Sequence, residues 1–327
     1  MEARLAAALP AGEGWQYEPK WDGFRCIAFR DGDTVALHAK SGKPLGRYFP
    51  EVLAMLAALP LRRFVLDGEL VIEIDGALSF DALQARLHPA ASRIRKLAAE
   101  TPARLIAFDA LQQGSRALVQ APLRQRRKAL ETLLQRCGQQ PGLRLSPCTT
   151  RLAEAERWLA DSGGGIDGVV AKRLDQPYAS GERAMVKVKR SRSADCVLGG
   201  FRYLRDRREV GSLLLGLYDA EGRLDHVGFT STISDAERPA LTRRLEKLVR
   251  SPGFTGKAPG GPSRWTTKES SEWEPLQPKL VGEVSFDQVT AGRFRHGTRL
   301  LRWRPDKAPR QCDCAQIAPT APPLPVF

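Results

Sequence analysis

The sequence predicts an α+β fold in two domains: a mixed first domain with antiparallel sheets, then an all-β domain closed into a small barrel. Three observations support this. Short period-two segments bounded by turn residues recur along the whole chain. Helical spacing is concentrated in the first part. The stretch Lys189-Arg190-Ser191-Arg192-Ser193 is polar and short-sided, as a hinge between domains would be. These place domains at 1–190 and 191–317, with a Pro-rich, disordered tail at 318–327.

In order, 26–30 and 34–38 flank Asp31-Gly32 and read as a hairpin. Residues 64–74, 105–108, 166–172 and 185–189 are further strands. Pro50 opens a helix through Leu59, and 123–136 and 152–161 carry apolar residues at helical spacing. Past the hinge, strands at 195–203, 212–218, 224–229, 280–287 and 298–303 surround one helix. Its start is marked by Ser234-Asp235-Ala236-Glu237, a capping box. Five strands and a helix fit a barrel of the oligonucleotide-binding type, the OB-fold. The Gly- and Pro-rich 251–264 is a loop.

A chain of 327 residues with 42% hydrophobic content can build two modest cores. The net charge of +14 calls for a polyanionic partner, nucleic acid before membrane: no apolar run approaches a spanning length, and the basic residues are scattered rather than gathered on one amphipathic helix. Glu2 and Pro10 fit neither a signal peptide nor an anchor, so a cytoplasmic protein is expected; a monomer is also expected. The six cysteines lack C-x-x-C pairs and read as reduced structural thiols.

The chemistry centres on Glu18-Pro19-Lys20-Trp21-Asp22-Gly23-Phe24-Arg25. A lysine is protonated at neutral pH, so one that attacks phosphorus needs neighbouring cations or burial to release its proton. Lys187 and Lys189 share one strand face while Val186 and Val188 enter the core; taken alone, that pair is better read as a solvated edge strand. Asp67 and Glu69 share a face of an otherwise apolar strand, where unpartnered charge is expensive, so a ribose hydroxyl or a metal is as reasonable as a turn. Asp167-Gly168 leads to Lys172, Phe108 could stack on a base, and Arg302 and Arg304 precede Pro305 on one strand face.

Together and in this order the motifs resemble those of the ATP-dependent DNA ligases, within the covalent nucleotidyltransferases that also include RNA ligases and capping enzymes. The resemblance runs from Glu18 to about Lys307. Lys20-x-Asp22-Gly23-x-Arg25 looks like the nucleotide-accepting motif, followed by Ser41-x-Lys43 and Phe49-Pro50-Glu51. Asp67-Gly68-Glu69, Phe108-Asp109-x-Leu111, 167–172, Lys187-x-Lys189 and Arg304-Pro305-Asp306-Lys307 match the remaining motifs in order. The likeness is strongest to small bacterial ligases of the C type and to the ligase domain of bacterial ligase D. Asp167 stands where the family usually has glutamate, and Met185 where it often has tryptophan.

The resemblance implies a nucleotidyltransferase (ATP-grasp-like) adenylation domain at 1–190 and three transfers: AMP to Lys20, AMP to the 5′-phosphate of a nick, then attack by the 3′-hydroxyl. It implies nucleotide contacts from Glu18, Lys20, Arg25, Glu69, Phe108, Lys172, Lys187 and Lys189. Asp167 and Glu69 would hold Mg2+ or Mn2+. Arg304, Asp306 and Lys307 would swing over to orient pyrophosphate. Nicked duplex DNA, recombination and repair, and partners such as a polymerase/primase or Ku complete the expectation, with a nucleoid location. Only 19 residues precede Lys20, which leaves no room for the N-terminal DNA-binding domain of larger ligases. The rivals are an RNA ligase or capping enzyme, disfavoured by 49–51 and 304–307, and a non-catalytic nucleic-acid-binding protein, which would need Lys20 to be inert.

Overall fold

The computed structural model describes residues 1–162, 165–260, 272–295 and 297–318. The expected tail beyond Ala318, residues 261–264 of the expected loop, and Gly163 and Gly164 lie outside them. The chain divides into two compact units, Met1–Arg190 and Ser191–Ala318.

The first unit is built on two sheets. The smaller has four strands in the order Ala3–Leu5, Met185–Val188, Ile166–Arg173, Trp15–Trp21. The larger runs Thr34–Ala39, Phe24–Asp31, Arg63–Ile74, Ala103–Gln113, with short strands added at its margins. The expected hairpin forms with Asp31 paired to Thr34. Leu66, Leu70, Ile72, Leu105 and Ala107 pack with Phe49, with Val52 and Leu56 of helix Pro50–Ala58, and with Leu130 and Leu133 of helix Leu123–Cys137. A second cluster puts Tyr17, Val169, Val186 and Val188 against Ala155 of helix Leu152–Ala160. Full burial of such a side chain contributes roughly 1.5–3 kcal/mol.

Two glycines are dictated by close approach. A Cβ on Gly23 would lie 2.2 Å from the Leu70 carbonyl oxygen, and one on Gly168, at φ +131°, would lie 2.1 Å from that of Val188. Neither Asp-Gly pair is therefore a simple turn signal.

The second unit orders its main strands Leu224–Thr230, Val210–Tyr218, Arg192–Tyr203, Val281–Phe286, Arg299–Trp303. The two end strands meet where Thr230 bridges Thr298, which closes the barrel around Val197, Leu198, Leu213, Leu215 and Val284. The helix differs from expectation: it runs Arg238–Glu246, and the Ser234 hydroxyl donates to the Glu237 carboxylate at 2.6 Å instead of accepting from the backbone. The capping-box residues thus form a preceding turn. The strand expected at 298–303 ends at Trp303, so Arg304 follows it, although Arg302 and Arg304 both approach Glu283, at 2.7 and 4.0 Å.

Candidate active site

Lys20 lies near the end of strand Trp15–Trp21, whose partner is Ile166–Arg173. The ladder slips between Ile166 and Val169, and this bulge carries Asp167. Its effect is to aim the carboxylate at the lysine: Lys20 Nζ donates to Asp167 Oδ2 at 2.7 Å. Lys189 Nζ approaches the same oxygen at 2.9 Å. Lys187 adds a third ammonium, its pKa lowered by burial first and then by Lys20 and Lys189. Val186 and Val188 point into the core as the alternation predicts, so the lysine pair belongs to the site.

Lys20 and Lys187 line a cavity of about 760 Å³, within the range of small-ligand sites. The smaller sheet contributes Glu18, Lys20, Lys172 and Lys187, and the larger contributes Arg25, Glu69 and Phe108. Lys172 Nζ bonds Glu18 Oε2 at 2.7 Å, Gln16 donates to the other oxygen at 2.7 Å, and the ammonium stands 4.6 Å from the Phe108 ring centroid. The Glu18 side chain is thereby consumed inside the protein, and what it presents to a ligand is its backbone and the Lys172 it fixes.

Asp67 and Glu69 separate in role. Asp67 is buried and accepts from Arg25 Nε at 3.0 Å, Arg25 Nη2 at 2.6 Å and the Tyr178 hydroxyl at 2.7 Å. It makes a structural floor, with Arg25 also donating to the Met1 carbonyl. A phosphate contact by Arg25 would compete with those partners. Glu69 instead opens on the cavity with its pKa pushed up to about 8, chiefly by burial, against the opposing pull of Lys20 and Arg25. It is mostly a neutral acid near pH 7.

Among the described residues no group of three or more His, Cys, Asp or Glu side chains could hold a metal ion. Asp167 and Glu69, the two carboxylates expected to hold a divalent cation, do not make such a group by themselves. In the second unit, Arg304 and Lys307 are gathered at Asp195, and Arg304 holds the Asp306 carboxyl down to about 2. All six cysteines are free. No described helix is long and apolar enough to cross a membrane.

Residues 4–189 match the ATP-dependent DNA ligase domain, and 206–307 match its C-terminal region. The chain belongs to the ATP-dependent DNA ligases. It is 43% identical to DNA ligase C1 of Mycolicibacterium smegmatis, across 97% of this chain and 92% of that protein. It is 32% identical to the multifunctional non-homologous end joining protein LigD of Mycobacterium bovis, across 93% of this chain and 38% of LigD. A solved Lig E DNA ligase, 18% identical and covering 93% of this chain and 99% of its own, shares the fold with a TM-score of 0.56. The adenylation-domain and OB-fold expectations hold for this ligase.

Sequence reasoning missed Tyr178, Gln16, Lys40, Arg4 and Arg183, all of which touch the cavity or its supports. The N-terminal strand reaches the site by parallel pairing of Leu5 with Lys187, which no local pattern announces. Tyr178 lies in a loop with no periodic signal.

Proposed function

We propose that Lys20 is the nucleophile of an ATP-driven nick-sealing reaction and that the cavity's other lysines manage the charge. The observation that carries this is one buried carboxylate oxygen, Asp167 Oδ2, shared by Lys20 and Lys189 beside a cavity lined by Lys20 and Lys187. In the first transfer the Lys20 ammonium sheds its extra protons to solvent, its nitrogen bonds the α-phosphorus of ATP, the bond to the bridging β-phosphate oxygen breaks, and pyrophosphate leaves. Lys20 must leave Asp167 to do this. Lys189 keeps the carboxylate paired meanwhile, and a stranded buried charge would cost about 3–5 kcal/mol.

Lys187 faces the charge that builds on phosphate oxygens. Phe108 offers its ring to adenine, Lys172 and Glu18 fix that wall, and protonated Glu69 donates to a ribose hydroxyl. Mg2+ or Mn2+ held through Asp167 and the nucleotide's own oxygens would supply further neutralisation; a protonated Glu69 is not a ligand for it. Arg304, Asp306 and Lys307 orient the leaving pyrophosphate. In the second transfer a 5′-phosphate oxygen takes AMP from Lys20, and in the third the 3′-hydroxyl displaces AMP.

The test is incubation with ATP labelled in its α-phosphate. Wild-type protein should retain label in denaturing gels and Lys20→Ala should not; label persisting in Lys20→Ala refutes the assignment. We also propose that the ligase acts as a monomer on the cytoplasmic nucleoid in end joining or excision repair, with a polymerase/primase or Ku as partner. Recovery of no repair protein in pull-downs from DNA-damaged cells would contradict that role.

A further inference from the structure

Asp195 lies on strand Arg192–Tyr203 directly opposite Glu283. Like charges facing each other across a ladder are destabilising unless something neutralises them. Here Arg304 Nη1 meets both Asp195 oxygens at 2.9 and 3.1 Å, Lys307 Nζ meets Oδ2 at 2.8 Å, and Arg302 meets Glu283 at 2.7 Å. The Asp195 carboxylate is only 10% exposed. Its backbone is pinned as well: the Gln316 side chain accepts from Asp195 N at 3.0 Å and donates to Asp195 O at 3.2 Å.

We propose that Asp195 is a positioning residue for the first transfer, holding the Arg304 guanidinium and the Lys307 ammonium side by side so that together they receive the pyrophosphate end of ATP. The proposal rests on the reading of Arg304 and Lys307 given above. Arg304 is fixed from two sides, Nη1 by Asp195 and Nε with Nη2 by Asp306. An arginine so held cannot rotate away from its neighbour. The Lys307 ammonium, with three N–H donors, meets Asp195 Oδ2 at 2.8 Å and keeps donors for phosphate oxygens. Its pKa is raised, chiefly through the hydrogen bond to Asp195, which secures the charge an anion would meet. Preorganised cations of this kind act without reorganising during reaction.

The test compares lysyl-AMP formation from ATP with sealing of a chemically pre-adenylated nick, which needs no pyrophosphate chemistry. Asp195→Asn should slow adenylation by on the order of tenfold or more, the usual cost of losing a supporting partner. It should raise the pyrophosphate concentration needed to reverse adenylation, and leave sealing of the pre-adenylated nick within about twofold of wild type. Asp195→Glu keeps the charge that the fold requires, so it serves if the asparagine variant is unstable, and its adenylation should fall between the other two. Wild-type adenylation in both variants, or an equal loss of both reactions with a lowered melting midpoint, overturns the proposal. Arg304→Ala and Lys307→Ala are run beside them. If those two adenylate normally, the pyrophosphate role itself fails, whatever Asp195 does.

Discussion

Lys172→Met removes one half of an ion pair whose side chains are 4% and 3% exposed. Removing one member of such a pair costs ~3–5 kcal/mol, because Glu18 stays buried as an uncompensated charge. Gln16 still donates to Glu18 Oε1 at 2.7 Å and offsets about 1 kcal/mol of that loss. The cation 4.6 Å from the Phe108 centroid also disappears, which removes on the order of 1–2 kcal/mol more. The single variant should therefore lose about 4 kcal/mol, read by urea unfolding at neutral pH. Glu18→Gln combined with Lys172→Met leaves a neutral, similarly sized contact and should recover to within about 2 kcal/mol of wild type. Both variants should raise the KM for ATP in adenylation, because the wall behind Phe108 loses its anchor. Equal destabilisation in the single and double variants, or a single variant within about 1 kcal/mol of wild type, would refute the buried-charge reasoning.

Glu69 gives a pH prediction with a definite sign. Its folded pKa of about 8 exceeds the ordinary 4.5, so the folded state binds more protons in that interval; stability from this source is full below about pH 4.5 and is lost as pH rises through 8. Glu69→Gln should flatten the fall in melting midpoint between about pH 5 and 8.5, and parallel curves for the two proteins would contradict it. Gly23→Ala should destabilise the first unit by roughly 3 kcal/mol in thermal melts, since its Cβ would sit 2.2 Å from the Leu70 carbonyl oxygen; an unshifted melt would be the wrong outcome. Binding to nicked duplex should weaken about a hundredfold or more between 50 and 200 mM salt at any sequence, and a flat salt titration would exclude a phosphate-dominated interface.

The strands of the first unit could be read from alternation because one face of each is apolar, as with Val186 and Val188 beside Lys187. Strand Trp15–Trp21 could not, although it carries Lys20: Pro19 interrupts it, and Gln16 and Glu18 are buried along with Tyr17. Its polar residues are inside because Lys172, 154 positions away, satisfies them. Helices Phe80–Ala85 and Ala91–Glu100 were also missed, the first being a six-residue segment too short for periodicity to show. Motif order brought Lys20, Asp167, Lys187 and Lys189 to notice, while their geometry depends on a bulge and a long-range pairing that local sequence does not encode. Asp195 showed only as the first residue of an expected strand, since its meaning comes from Lys307, 112 positions later.

The sharing of Asp167 by two ammonium groups bears on how long a loaded ligase can wait. In the proposed mechanism Lys20 loses its positive charge on taking AMP, yet the acid beside it keeps a counterion in Lys189. The adenylated form therefore has no stranded anion to drive it back, and it can persist as a storage state between encounters with broken DNA. Protein purified without added nucleotide should then migrate partly as a species about two charge units more acidic than the free enzyme, convertible by pyrophosphate.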